Sequence, residues 1–258
     1  MRIRPCIDLH NGVVKQIVGS TLRDDDPAHL QTNFVADRPA SWFAHLYRRD
    51  GLAGGHVIML GPGNEAAATE ALAAWPGGLQ IGGGITVENA ADWLERGASH
   101  VIVTSWVFSQ GRLDRQRLAG LSAAVGRERL VLDLSCRRRG EDYYIVTDRW
   151  QRFTDIRITA EELQELAGYC AEFLVHAADV EGRCQGVDAN LLRILAEASP
   201  LVTTYAGGIR NLEDLELIRH MADGRLDATV GSALDIFGGT SLAYADVVSF
   251  HHRLQVSP

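Results

Sequence analysis

The sequence predicts an α/β protein built as a closed (β/α)8 barrel, and three observations predict it. The chain has 258 residues, which matches the ~250 residues typical of one such barrel. Eight short runs rich in Val, Ile and Leu alternate with amphipathic helical patterns, as a parallel sheet covered by helices requires. Recognisable landmarks also recur at about half the chain length, the mark of two fused half-barrels. A single domain over residues 1–258 is therefore expected.

The strands are expected at 3–8 (IRPCID), 56–60 (HVIML), 78–82 (GLQIG), 101–105 (VIVTS), 130–134 (LVLDL), 172–177 (EFLVHA), 201–206 (LVTTYA) and 227–231 (DATVG). Segments such as 87–96 (VENAADWLER) and 211–221 (NLEDLELIRHM) place apolar residues at helical spacing between them. No Pro-rich or low-complexity stretch divides the chain. Two connections, 10–39 and 136–158, exceed the ~12–15 residues of an ordinary loop and are expected to be lids or binding loops.

Composition narrows the chemistry. With 25 basic and 33 acidic residues the net charge is −8, so neither a nucleic acid nor an anionic membrane is an expected partner. Lys15 is the sole lysine, which leaves one candidate nucleophile for Schiff-base or pyridoxal chemistry. Arginine cannot take that part, because its pKa stays above ~12. Cys6, Cys136, Cys170 and Cys184 form no CxxC pair, against zinc-ribbon and thioredoxin readings. His251-His252 has no carboxylate or Cys at ligand spacing, and no metal is expected. The first residues lack a leader-like apolar core, and no apolar run approaches the ~18 residues of a membrane span. A reduced, cytoplasmic monomer acting on a small molecule is the expectation.

The internal repeat locates candidate site residues. Ile7-Asp8-Leu9 resembles Leu132-Asp133-Leu134 at an offset of 125 residues, and Gly83-Gly84-Ile85 resembles Gly207-Gly208-Ile209 at 124. Thr104-Ser105 and Gly231-Ser232 both close a strand, with their serines 127 apart. Asp8 and Asp133 then stand at the C-terminal ends of opposite strands, where barrels carry their chemistry. One carboxylate can accept a proton while the other donates one, if burial and unequal surroundings separate their pKa values. Glycine pairs at strand ends, followed by helices, let backbone N–H groups approach an anion closely. Gly207, Gly208, Gly231 and Ser232 form one such cradle, and Gly83, Gly84, Thr104 and Ser105 its counterpart. Two phosphate cradles flanking a carboxylate pair call for a substrate phosphorylated at both ends. Cys6, two residues before Asp8, reads as a small core residue.

The segments CIDLHNGVVKQIVG, HVIMLGPGN, LQIGGGIT, GASHVIVTSWVF, LVLDLSCR, VHAADVEG, YAGGIR and GSALDIFGG follow one another along the whole chain. Together they resemble the aldose–ketose isomerases of histidine biosynthesis, in the fungal-type form. The resemblance implies a (β/α)8 barrel without metal or organic cofactor. It also implies an Amadori rearrangement of a formimino-aminoimidazole carboxamide ribotide, in which the ribosyl ring opens and a proton leaves C2′. In that family Asp8 matches the general base and Asp133 a strand-five aspartate with an acid role. Trp150 matches a tryptophan that stacks on the substrate's imidazole, and Gly19 a glycine of the substrate-covering loop. The sixth strand departs from the bacterial pattern, with His176 at the family's threonine and Glu181 at its loop aspartate. The acid therefore stays open among Asp133, Glu181 and His176. The second strand departs too, reading Met59-Leu60-Gly61-Pro62 in place of an acidic motif.

Three rival readings keep the same fold. The related cyclase of the pathway shares the repeat and both aspartates, but usually has lysine where this chain has His10. A bifunctional isomerase would also act on phosphoribosylanthranilate. A non-catalytic phosphoribosyl-binding barrel would keep the cradles, and loss of either strand-end aspartate would be its signature.

Overall fold

The computed structural model describes residues 1–18, 21, 31–148 and 150–256. Eight parallel strands stand side by side in chain order: β1 (Cys6–His10), β2 (Gly55–Met59), β3 (Leu79–Gly82), β4 (Val101–Val103), β5 (Leu130–Asp133), β6 (Glu172–His176), β7 (Val202–Ala206) and β8 (Leu226–Thr229). The ring closes where Ile3 bridges Ala228 in parallel. There the Arg4 N–H donates to the Ala228 carbonyl at 2.9 Å and the Ala228 N–H to the Arg2 carbonyl at 3.0 Å. Each strand leads to a helix: α1 (Ala40–Arg49), α2 (Glu65–Ala74), α3 (Ala90–Glu95), α4 (Arg115–Val125), α5 (Ala160–Leu166), α6 (Ala189–Ala198), α7 (Leu212–Met221) and α8 (Tyr244–Val256). Asp114, Thr159, Asp188 and Asn211 cap α4 to α7 by accepting backbone N–H groups of the first turn. Among the described residues no helix is long and apolar enough to cross a membrane.

The expected strands appear with small shifts, and the first shows why. It was expected at 3–8 but runs Cys6–His10, with Ile3 only in an isolated bridge. Pro5 has no N–H to donate, so the ladder is interrupted there. At its other end β1 continues into a hairpin, pairing Leu9 with Val14 and His10 with Val13. The two turn residues, Asn11 and Gly12, have φ of 54° and 75°. That pair of positive angles is what a two-residue type I′ turn demands, and Asn-Gly is its preferred sequence.

Neither long connection is irregular throughout. Segment 10–39 contains antiparallel strands Val13–Ile17 and Thr32–Val35, which extend the sheet beyond β1. Segment 136–158 folds into a three-stranded antiparallel sheet of Cys136–Arg139, Asp142–Thr147 and Arg152–Arg157. Both rise from the C-terminal ends of opposite strands and flank the mouth.

The main apolar core lies between barrel and helices, with Phe43, Tyr47, Leu72, Phe173 and Tyr205 buried in it. Inside the ring a smaller cluster joins Ile102, Val131 and Leu174, with Ile58 against it. Below that plug the barrel floor is polar. The Arg4 guanidinium donates to Asp227 Oδ2 at 2.7 Å and to Glu172 Oε2 at 3.0 Å, and Gln80 donates to the same Glu172 oxygen at 2.7 Å. Arg4 is 2% exposed. Removing it leaves Asp227 with Arg2 alone and Glu172 with no cation and only the Gln80 amide, so Arg4→Ala is expected to cost about 3 kcal/mol of stability. Urea denaturation checks this; a change below about 1 kcal/mol would show that water compensates the carboxylates there.

Candidate active site

Strand alternation turns Cys6 and Asp8 of β1, His56 of β2, Asp133 of β5 and His176 of β6 into the barrel. One cleft at the mouth is lined by Asp8, His56, His176 and Glu181, by Gln16 of the first hairpin, and by Gly207, Gly208, Gly231 and Ser232. Asp133 stands beside it, its Oδ1 3.8 Å from His176 Nδ1. The Trp150 ring lies over His176, with centroids 5.7 Å apart and planes tilted by 42°. Trp150 is held at φ 66°, a left-handed conformation that costs a bulky residue energy and is tolerated where the surroundings fix it.

Hydrogen bonds define how each group is charged. Asp133 Oδ1 accepts the Ser135 N–H at 2.8 Å and the Ser135 hydroxyl at 2.5 Å, and Oδ2 accepts the Thr104 hydroxyl at 3.2 Å. Burial would raise this carboxyl, but the adjacent His176 and the two Ser135 donors outweigh it and hold it below its ordinary value. Burial would likewise lower the His176 imidazole. Asp133, followed by Glu181 and Asp8, overcomes that and lifts it to about 9. His176 Nδ1 also lies 3.1 Å from the Ser135 hydroxyl.

Asp8 is the opposite case. Burial pushes its carboxyl up to about 6 against the His176 charge, with Glu181 adding to the rise and the Gln16 and Cys6 hydrogen bonds opposing it. Burial also raises Glu181, which His176 and the Gly182 N–H partly offset. His56, whose ring meets that of His176 at 5.9 Å, is driven down to about 3 by burial and by the His176 charge. The mouth thus brings together an imidazole raised by its carboxylate neighbours, an imidazole lowered by burial, one carboxylate held below its ordinary value and two, Asp8 and Glu181, raised by burial.

The two expected cradles stand at the ends of β3 and β4 and of β7 and β8, and only the second lines the cleft. Gly83 has φ 89°, and a Cβ there would lie 2.1 Å from the Met59 carbonyl; at Gly208, φ is 75° and a Cβ would lie 2.1 Å from the Gly186 carbonyl. No other residue type fits either place. Gly84 and Gly207 are also left-handed, at φ 72° and 123°. The hydroxyls are less alike than the repeat suggests. Thr104 bonds Asp133, and Ser105 Oγ accepts the Asp148 N–H at 3.0 Å. Ser232 donates to Gln16 Oε1 at 3.3 Å. Gly19 lies outside the described residues.

Gln16, His56 and Ser135 were not singled out from sequence. Gln16 is a polar residue inside the apolar run VVKQIV and His56 heads the run HVIML, which was the available signal. His251 proves structural, its Nδ1 accepting the Ile3 N–H at 3.1 Å. Cys6 is buried beneath Asp8, its thiol held well above the usual range by burial.

A closed β/α barrel whose acid–base side chains and glycine-rich turns gather at the C-terminal ends of its strands has the architecture of barrel enzymes that act on small molecules. A family model described as histidine biosynthesis protein matches residues 2–239, and the chain belongs to that family. Among its relatives is a chloroplastic protein of Medicago truncatula, 55% identical over 100% of this chain and 84% of its own length. A protein of Neurospora crassa is 50% identical over 98% of this chain and 99% of its own, and one of Saccharomyces cerevisiae 45% identical over 96% and 97%. All three are named as 1-(5-phosphoribosyl)-5-((5-phosphoribosylamino)methylideneamino)imidazole-4-carboxamide isomerase. The likeness thus extends to a plant protein as well as to fungal ones.

The His176–Asp133 pair makes a direct prediction. The His176 ring proton followed by NMR should titrate near 9, and Asp133→Asn should bring that titration down by more than one pH unit. An unmoved titration would assign the shift to Glu181 and Asp8 instead.

Proposed function

We propose that this chain is the isomerase its relatives are named for, an enzyme of histidine biosynthesis that converts the phosphoribosylamino group of its substrate from aldose to ketose by an Amadori rearrangement. The observation that carries the reading is one cleft holding a carboxylate of modest basicity, Asp8, together with a protonated imidazole, His176. At neutral pH Asp8 is ionised and His176 charged, the pair of states that base and acid require.

In the proposed sequence His176 gives its proton to the ribosyl ring oxygen. The C1′–O bond breaks toward that oxygen while the substrate's own nitrogen lone pair forms C=N. Asp8 then takes the C2′ proton, and the electron pair left behind makes the C1′–C2′ double bond of an enolamine. The C=N electron pair returns to nitrogen as the enolamine forms. Neutral His176 then takes the enol O–H proton while protonated Asp8 gives its proton to C1′, so the ketone forms with both groups back in their starting states and no net proton is consumed. Asp133 keeps its charge throughout and holds His176 protonated and oriented; Ser135 and Thr104 hold Asp133. The expected acid role of Asp133 passes to His176 in this reading, because a carboxylate with three donors and a neighbouring imidazolium holds no proton at neutral pH.

Gly207, Gly208, Gly231 and Ser232 would receive one phosphate and Gly83, Gly84 and Ser105 the other. Trp150, lying over His176, would stack on the substrate's imidazole. The whole chain would work as one barrel domain and as a monomer. A cytoplasmic, reducing compartment suits its four free cysteines, although the Medicago relative is named as chloroplastic.

The expected kcat/KM profile is a bell, rising as Asp8 ionises near pH 6 and falling as His176 loses its proton near pH 9. Asp8→Asn and His176→Gln should each lower kcat by roughly 10²–10⁴-fold with little change in substrate affinity. A spectrophotometric assay with the formimino ribotide, run beside phosphoribosylanthranilate, checks both. Retention of the alkaline limb in His176→Gln would move the acid role to Glu181.

A further inference from the structure

We infer that Gln16 is a positioning residue that ties the base Asp8 to the phosphate cradle at Ser232, so that a phosphate group entering the cradle alters how tightly Asp8 is held. This rests on the acid–base reading of Asp8 given above. Gln16 is 3% exposed, on the first hairpin, between β1 and the end of β8. Its Nε2 donates to Asp8 Oδ2 at 3.1 Å and approaches the Cys6 sulfur at 3.7 Å, while its Oε1 accepts the Ser232 hydroxyl at 3.3 Å. The orientation of the amide follows from chemistry: a carboxylate only accepts, so the nitrogen must face Asp8 and the oxygen must face Ser232.

Ser232 is fixed in turn. Asn33 Nδ2 donates to Ser232 Oγ at 3.2 Å and to the Gly182 carbonyl at 3.1 Å, so the serine accepts from the hairpin and has its single proton left for Gln16. Gly231 is shaped to this arrangement as well. Its φ is not left-handed, yet a Cβ there would lie 2.5 Å from Gln16 Oε1. A larger residue there would push the amide out of its place, so the glycine leaves Gln16 free to reach both Asp8 and Ser232.

Asp8, Gln16, Ser232 and Asn33 therefore form one chain of hydrogen bonds from the base to the cradle. Ser232 has one proton, and a phosphate oxygen competes for it with Gln16 Oε1. When the proton goes to phosphate, the amide loses the partner that fixes it and its bond to Asp8 slackens. Asp8 becomes a stronger base at the moment a substrate phosphate is seated. The other groups facing Asp8 are Cys6 on its own strand, His176 of β6, Glu181 of the following loop and Tyr47 of α1. None of them bonds Ser232, so a change at Ser232 reaches Asp8 through Gln16.

The test is the carboxyl titration of Asp8, followed by carbon-13 NMR in the intact protein without substrate. Ser232→Ala, which touches only the far end of the chain, should raise that titration by roughly half a pH unit, and Gln16→Leu by about one. In the Gln16→Leu background, Ser232→Ala should add nothing. The acid limb of the kcat/KM profile should move with the same values, whereas loss of a simple phosphate contact would raise KM and leave the limb in place. An Asp8 titration unmoved by Ser232→Ala, or moved equally with and without Gln16, would overturn the tie. Should Gln16→Leu fail to fold, Gln16→Glu and Ser232→Ala keep the comparison. Since the NMR titration needs no turnover, an inactive wild-type protein would refute the isomerase reading and leave this result standing by itself.

Discussion

The buried guanidinium of Arg4 lies at the seam where the first and last strands of the barrel meet, and the geometry of the mouth depends on it. The backbone bonds between Arg2, Arg4 and Ala228 close the ring, and the Arg4 side chain joins β8 through Asp227 to β6 through Glu172. An eight-stranded sheet left open at this seam would splay, and residues four strands apart would no longer face one another. The closure is what sets Asp8 on β1 across from Asp133 on β5 and beside the β8 cradle. Charge is confined to the floor and the mouth, with Ile58, Ile102, Val131 and Leu174 between them, so two polar layers operate without shorting into each other.

Burial acts on every titratable group of the mouth, but neighbours decide its sign. Asp8 has too few donors to resist desolvation and is raised; Asp133 has three and is lowered; His176 faces three carboxylates and is raised. These shifts also govern stability. Asp8 titrates near 6 when folded against an ordinary 3.8, so the folded state binds the extra proton and loses stability as pH rises between those values. His176 titrates near 9 against 6.5, so its contribution is complete below 6.5 and is lost as pH rises through 9. Asp8 weakens the fold at neutral pH, and His176 offsets part of that cost.

Much of this was legible in the sequence, and the exceptions have physical causes. Apolar runs located all eight strands, because a strand buried on both faces has little freedom of composition. The repeat put Asp8, Asp133 and both glycine pairs at strand ends, where the structure has them, since duplicated strand ends must occupy equivalent places in a ring. It did not find Gln16 or His56, which have no counterpart in the other half and whose importance comes from what lies opposite them after closure. The hairpin after β1 was readable in principle from Asn11-Gly12, but an expected lid obscured it. At Gly231 the repeat suggests a cradle, while the structure puts the Gln16 amide oxygen 2.5 Å from where a Cβ would lie, a contact no sequence pattern announces.

The departures in the sixth strand make sense only as a pair. A carboxylic acid that must donate at neutral pH has to be kept protonated by burial, at the risk of repelling both the base and an incoming phosphate. A positive charge at His176 avoids that conflict, because it is attracted to Asp133, Glu181 and Asp8 alike. Glu181 then no longer needs to hold the proton, and its Oε2, buried without a partner, stands 3.2 Å from where a Cβ on Gly207 would lie. An oxygen in that place next to an anion cradle is tolerable only if it is protonated or if a cation stands near, and burial together with His176 supplies the two conditions in part. The positive charge of His176 beside the loop is thus the local condition under which a buried carboxyl at Glu181 is tolerated.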